Sequence, residues 1–425
     1  MKAINSKVRA AMLVVMLLCI VGIGAETASA RTVVGTCMTG TQYPTIQNAI
    51  DNVTAGTIVF ICPGTYAEQL RINRTMTLQG VASGNSDAVI IVPPSGGLAA
   101  NTTSLFDHSA IAAHVLADVE ATVNLTNLIV DSNTTSNPNN INACAPLLVG
   151  IFYRNTSGIV NHVVTRNQWV GASESDTNFN GCQTGLGIFA QSGNAETSTV
   201  TVENSSVHDY QKNGITGNEA GTTLTVTGNQ VVGQGSTNGA AENGIQIGFG
   251  AAGTVSGNTV IDDVWGPDTS SDPADAAAGI LLFDAASGVT VKLNTVGNTQ
   301  FGIALATDTS GLDDGETVTS NKVTGTRIFD GIDVCSNGNT IHGNTVSNST
   351  ESAIHLDASC GVNPPVGGGN NNTVTNNIVS DATVGILKDT GTSNPTTTPN
   401  TFFTTGTTDP AGTARSRVLV KPIRP

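Results

Sequence analysis

An asparagine followed by a short β-branched segment returns along most of this chain: NLIV at Asn127, NQWV at Asn167, NSSV at Asn204, NQVV at Asn229, NTVI at Asn258, NTVG at Asn294, NKVT at Asn321, NTVS at Asn344 and NIVS at Asn377. Six copies align further. Val226, Val255, Val291, Val318, Ile341 and Val374 stand three residues before the last asparagines, and Val231, Val260, Val296, Val323, Val346 and Val379 two residues after them. A second marker, Gly-Ile, opens another apolar segment at Gly150, Gly187, Gly214, Gly244, Gly279, Gly302, Gly331 and Gly385, with Ala353-Ile354 as a variant. The tightest units are 22 and 23 residues long. A unit that short, holding two or three strands, cannot bury its own apolar face. Stacked units can, each adding one rung to shared parallel sheets about 4.8 Å apart. The pattern predicts an all-β fold, a single-stranded right-handed parallel β-helix (solenoid). Its Asn column is expected at sharp corners, where Asn tolerates a left-handed backbone and its amide bonds the same residue one rung away. An aromatic content of 4% suits a narrow interior filled by Val and Ile stacks.

The ends read differently. MKAINSKVR, an apolar run and Ala28-Ser29-Ala30 together read as a signal peptide over residues 1–30, so the mature chain is expected to be secreted: extracellular, periplasmic or at the cell surface. No later segment is apolar for long enough to span a membrane. Residues 31–56 read as an N-terminal cap. In YPTIQNAIDNV, Pro44 suits a first helical turn, and Ile46, Ala49, Ile50 and Val53 share one face of an amphipathic capping helix that Gly56 ends. The solenoid is assigned to 57–389. Residues 390–425 are Thr/Ser/Pro-rich and then basic, and read either as a tail or as a cap in which VLV pairs back.

Charge narrows the partners. The chain has 17 basic and 32 acidic residues; without the signal segment 14 and 31 remain, a net of −17. Such a surface cannot neutralise a row of phosphates, which excludes nucleic acid, and it binds a polyanionic glycan only through a bridging cation. Six cysteines remain outside the signal. Cys37 and Cys62 lie 25 residues apart, as do Cys335 and Cys360, about one coil, so each pair can staple neighbouring rungs; Cys144 and Cys182 would close an insertion.

The segment PTIQNAID, a strand, CPGTY, and LRIN followed by MTLQG resembles the N-terminal cap and first turns of the pectate lyase and pectin esterase superfamily of β-helices. The resemblance implies polysaccharide as the partner and a site on an outer sheet face between long loops. No signature of one reaction accompanies it. The Gln-Asp-Thr and Arg-Pro-Trp segments of pectin methylesterases are absent, and of the polygalacturonase set only Asp262-Asp263, Asp313-Asp314 and His342-Gly343 have a counterpart.

Register supplies the candidates. With the Ile of Gly-Ile inward, the position after it faces outward and runs Phe152, Phe189, Thr216, Gln246, Leu281, Ala304, Asp333, His355, Leu387. The next outward column, four positions after the Gly, runs Arg154, Gln191, Asn218, Gly248, Phe283, Ala306, Cys335, Asp357, Asp389. Asp333 is expected about 5 Å from His355 and about 8 Å from Asp357, a spacing suited to an inverting glycosidase pair, with His355 tuning one carboxyl. These three are the catalytic candidates, with Trp265, Arg327 and Asp330 as substrate contacts, Trp265 through stacking on a sugar ring. Asp308, Asp313, Asp314 and Glu316 offer oxygen ligands to calcium. Two functions stay open: a monomeric β-helix that binds and cleaves polysaccharide as hydrolase or calcium-dependent lyase, and a non-catalytic surface or adhesive scaffold.

Overall fold

The computed structural model describes residues 31–425 apart from 82–87, 119–120, 174–175, 194, 238, 267–274, 310–311, 360–366, 406–410, 413–418 and 421. The proposed signal peptide lies outside the described residues. Each coil passes in order through three long sheets. Sheet one has 13 strands and ends at Thr373–Thr375, and sheet two has 12, from Gly64–Ala67 to Thr401–Phe403. Sheet three has 13, from Leu70–Ile72 to Ala411–Gly412, counting Thr102–Thr103, which pairs antiparallel with Ala110–Asp118. The long sheets are otherwise parallel, and the architecture is the right-handed parallel β-helix that the repeat predicts.

The inward Ile ladder is as expected: Ile188, Ile215, Ile245, Ile280, Ile303, Ile332, Ile354 and Ile386 stand in register on successive rungs and are buried in the main core. The glycines of this column are steric. A Cβ on Gly302 would lie 2.4 Å from the Gly331 carbonyl oxygen, and one on Gly187 2.6 Å from that of Gly214. Stacked rungs leave no room for a side chain at those two positions, while Ala353, before Ile354, carries a methyl in the same column.

Eight of the nine repeat asparagines sit at the corner between sheets one and two, Asn167 lying instead within the sheet-two strand Val164–Gln168, and their left-handed role also needs correction. The six aligned residues do not hold the left-handed conformation; the residue before each does, as at Gly228 (φ 67°), Leu293 (φ 58°) and Asn376 (φ 58°). Asn127 and Asn204 are themselves left-handed, and at Asn204 the next residue, Ser205, takes the ladder position and donates its N–H to Asn229 Oδ1 at 2.9 Å. Freed from that role, the aligned asparagines turn into the dry corner and bond one another. Asn229, Asn258, Asn294, Asn321, Asn344 and Asn377 each donate Nδ2 to the Oδ1 of the next, at 2.9–3.0 Å, and Asn400 ends the series.

The first coils are covered by the helix Ile46–Asn52, which buries Ile46, Ala49 and Ile50. Thr45 rather than Pro44 starts it: the Thr45 hydroxyl accepts from Asn48 N, and the Glu68 carboxylate accepts from the amides of Ile46 (2.9 Å) and Gln47 (2.8 Å). The helix ends at Asn52, before Gly56. Disulfides join Cys37 to Cys62 and Cys144 to Cys182. Cys335 is disulfide-bonded, and Cys360 lies outside the described residues.

Both solenoid boundaries extend beyond 57–389. Thr32–Val34 and Thr41–Tyr43 join sheet one, while Thr401–Phe403 and Ala411–Gly412 continue sheets two and three. Leu419–Val420, inside the VLV segment, pairs with Asp275–Ala276. Among the described residues no helix is long and apolar enough to cross a membrane.

Candidate active site

Sheet three positions the candidate residues. Asp333 lies on strand Ile332–Val334 and pairs in register with His355 on Ser352–Leu356, the adjacency expected from the Gly-Ile column. Asp330 precedes the first strand, Asp357 follows the second, and Asp389 closes the next rung, Val384–Asp389.

These side chains meet at one imidazole. His355 Nδ1 lies 3.1 Å from Asp330 Oδ2 and 3.7 Å from Asp333 Oδ1, and Nε2 lies 3.1 Å from Asp389 Oδ1. Asp330 is fixed in turn by the Ser352 amide at 3.1 Å and the Ser352 hydroxyl at 2.5 Å. Asp357 accepts from the Ser359 amide at 2.9 Å. Burial pushes the Asp389 carboxyl up, but the hydrogen bond and charge of His355, with a further bond to Asp357 and the Ala358 amide, hold it below the ordinary carboxylate range. An imidazole between carboxylates can pass a proton from one to another.

The outer face is not the solvated one that alternation suggests. Asp330 and His355 are fully buried, Asp357 and Asp389 are 1% and 4% exposed, and Asp333 is the most accessible at 6%. Elsewhere the same column is roofed: Ile423 packs with Phe152 and Phe189, and Phe329 clusters with Leu281 and Ala304. Period-two alternation tells which side a residue faces, and says nothing of what folds back over it.

Of the proposed substrate contacts, only Asp330 joins this group. Trp265 ends a strand of sheet two, where its backbone N–H donates to Gln300 Oε1 at 2.9 Å. Arg327 bonds Asn298 Oδ1 at 2.6 Å. Asp389 stood in the sequence column four positions after Gly385 but one rung beyond the chosen set.

The proposed calcium residues lie in the turn leading from sheet three to sheet one. Asp313 and Glu316 are buried there, and Asp308 bonds through its amide to Asp284, an acid missed in the sequence. The Asp314 carboxylate accepts from the Asn337 amide at 2.7 Å. Among the described residues only Asp330, Asp333 and His355 bring three ligand atoms within 4.8 Å of one another. Burial pushes the Glu316 carboxyl up to about 8, partly opposed by the amides of Val289 and Gly288, and pushes Asp313 well above the usual range, with repulsion from Glu316 and Asp284. An acid with a folded pKa above its unfolded value holds more protons folded than unfolded between the two, so Glu316 stabilises the fold below about pH 4.5 and loses that contribution as pH rises to about 8, with Asp313 acting in the same direction. Thermal unfolding should therefore fall by several degrees from pH 5 to 8, and Glu316→Gln should flatten the profile by raising stability at pH 8. A calcium-dependent rise in melting temperature at pH 8, lost in Glu316→Gln, would instead show that the turn takes the ion.

Comparison with known proteins follows this geometry. The family described as NosD, periplasmic copper-binding protein, matches residues 273–406, which contain the whole His355 group. Comparison with curated protein sequences gives no match. Among solved structures, the Azotobacter vinelandii mannuronan C-5 epimerase AlgE4 A-module superposes with a TM-score of 0.52 and 13% identity, over 86% of this chain and 91% of that one. The GH136 lacto-N-biosidase from Eubacterium ramulus superposes with a TM-score of 0.51 and 11% identity, over 85% of this chain and 64% of that one. At these identities the likeness establishes the shared parallel β-helix fold.

Proposed function

We propose that this chain is an exported β-helix protein that binds a polysaccharide against sheet three and alters it by proton transfer at Asp333, His355 and Asp357. The observation that carries the reading is the imidazole of His355, held at 3.1 Å by Asp330 on one nitrogen and by Asp389 on the other, with Asp333 in register beside it. Asp330 and Asp389 orient the ring. Asp333, the most exposed of the five, is the group presented to substrate, and His355 relays its proton. Asp357, through Asp389, completes the acid-base set.

The fold does not choose the reaction, since the two similar structures are named for an epimerase and a biosidase. Charge favours a neutral glycan: the acidic chain repels uronates unless a cation intervenes. The test is incubation with neutral and uronate polysaccharides, with and without calcium, followed for new reducing ends, unsaturated uronide absorbance and inverted sugar centres by NMR. The reading expects one of these products. Silence in all three supports the non-catalytic scaffold.

A metal centre is a second reading, favoured by the ligand atoms of Asp330, Asp333 and His355 lying within 4.8 Å of one another. Two carboxylates and an imidazole fit a first-row divalent ion, and copper is the metal in the description of the family matching this stretch. Such an ion would supply Lewis acidity beside Asp333. Uptake of one equivalent of copper or zinc, lost in His355→Gln, would carry this reading.

A further inference from the structure

Three rungs and more before the His355 group, the outer face of sheet three holds a segment of the chain itself. Gln191 and Asn218 pair in register on successive rungs, and Gln246 lies on the rung after; all three are fully buried. The side-chain amide of Gln246 reads the backbone of one residue at both ends: its Oε1 accepts from Ile423 N at 3.0 Å, and its Nε2 donates to Ile423 O at 2.8 Å. Asn218 Nδ2 donates to the same carbonyl at 2.7 Å, and Gln191 Nε2 to Pro425 O at 3.0 Å. Asn218 also accepts from Gln246 Nε2 at 2.8 Å, which sets the Gln246 amide in the orientation that faces a peptide.

Side chains are recognised as well as backbone. Ile423 fills an apolar pocket formed with Phe152 and Phe189. Arg424 makes a two-pronged contact with Glu219 at 3.0 and 2.9 Å, and its guanidinium lies 3.7 Å from the ring centre of Phe106 and 4.6 Å from that of Phe249. A cavity of about 340 Å³ adjoins Pro422–Pro425 on the side of Asp107 and Gln183. Backbone pairing, an apolar pocket and a charged fork beside aromatic rings are the three elements by which proteins read an extended peptide.

We propose that this face is a peptide-recognition groove for extended segments carrying an aliphatic residue followed by arginine between prolines, and that Pro422–Pro425 is its resident occupant. The inference does not depend on the glycan reading. The groove is filled here by a peptide segment, whose N–H and C=O meet the two ends of the Gln246 amide.

The test uses the full chain with its own segment unseated by Ile423→Asp and Arg424→Glu, and a fluorescent peptide VLVKPIRP, the sequence of residues 418–425. Anisotropy should show saturable one-to-one binding to this variant. Binding should be at least about tenfold weaker to the unaltered chain, whose own segment competes, and about tenfold weaker when Glu219→Gln is added. A chain shortened to end at Arg417 should bind as the double variant does. A folded variant that ignores the peptide, or binds it equally with Glu219→Gln, overturns the proposal. So does displacement of the peptide by neutral oligosaccharides, which would make the groove a carbohydrate site, and so does failure of both variants to fold, which would make the segment part of the core.

Discussion

Replacing Asn294 by alanine lowers the stability of the fold by about 3–5 kcal/mol, read as a drop in the denaturant midpoint at unchanged slope. Asn294 sits in the middle of the corner ladder. Its Nδ2 donates to Val255 O at 3.0 Å and to Asn321 Oδ1 at 2.9 Å, while its Oδ1 accepts from the backbone N–H of Asn258 at 2.9 Å and from Asn258 Nδ2 at 3.0 Å. Alanine removes all four bonds and leaves the Asn258 backbone N–H without the acceptor it has here, in a corner that water does not reach. Each orphaned buried group costs about 1–3 kcal/mol. Asn204 is the control, because it is exposed and its side chain makes one long contact of 3.4 Å to Asn161. Its left-handed backbone tolerates glycine, so Asn204→Gly should change stability by less than about 0.5 kcal/mol. Equal losses at the two positions would show that the ladder contributes nothing specific.

Asp333→Asn abolishes the proposed activity, lowering turnover by about 10²–10⁴-fold while leaving the melting temperature close to that of the unaltered chain. The two side chains share a shape, and Asp333 is the least enclosed of the group, so the substitution removes proton exchange and little packing. His355→Gln is the harsher change. It leaves Asp330 and Asp389 buried without the imidazole between them, and about 3–5 kcal/mol of stability should go with the activity. A variant set in which His355→Gln lowers stability and Asp333→Asn lowers only turnover separates the relay from the scaffold that holds it.

The fold was legible because a solenoid writes its geometry into the chain at short range. Each Gly-Ile reports a strand of sheet three, and the inward Ile fixes which neighbour faces out, so Asp333 and His355 could be placed side by side before any coordinate was known. The same logic reached Asp357, and it reached Asp389 as a position without its role. It failed where contacts are not periodic. Ile423 meets Gln246 across 177 residues of sequence, through a segment with no repeat, and nothing in that composition distinguishes a loose tail from a peptide seated on a sheet. Of the two duties expected of the asparagine column, the rung-to-rung amide bonds are present, while in the six aligned copies the left-handed turn belongs to the residue before. Asp313 and Glu316 show the remaining gap, since their acidic turn reads as solvated loop in sequence while both side chains are buried.

The central claim is that the His355 group performs proton transfer on a glycan. Its most direct test is to incubate the unaltered chain and Asp333→Asn side by side with the neutral and uronate polysaccharide panel, recording reducing ends, unsaturated uronide and sugar configuration. Product is expected from at least one glycan with the unaltered chain and from none with Asp333→Asn, both proteins melting alike. Product formed equally by the two, or by neither, would contradict it.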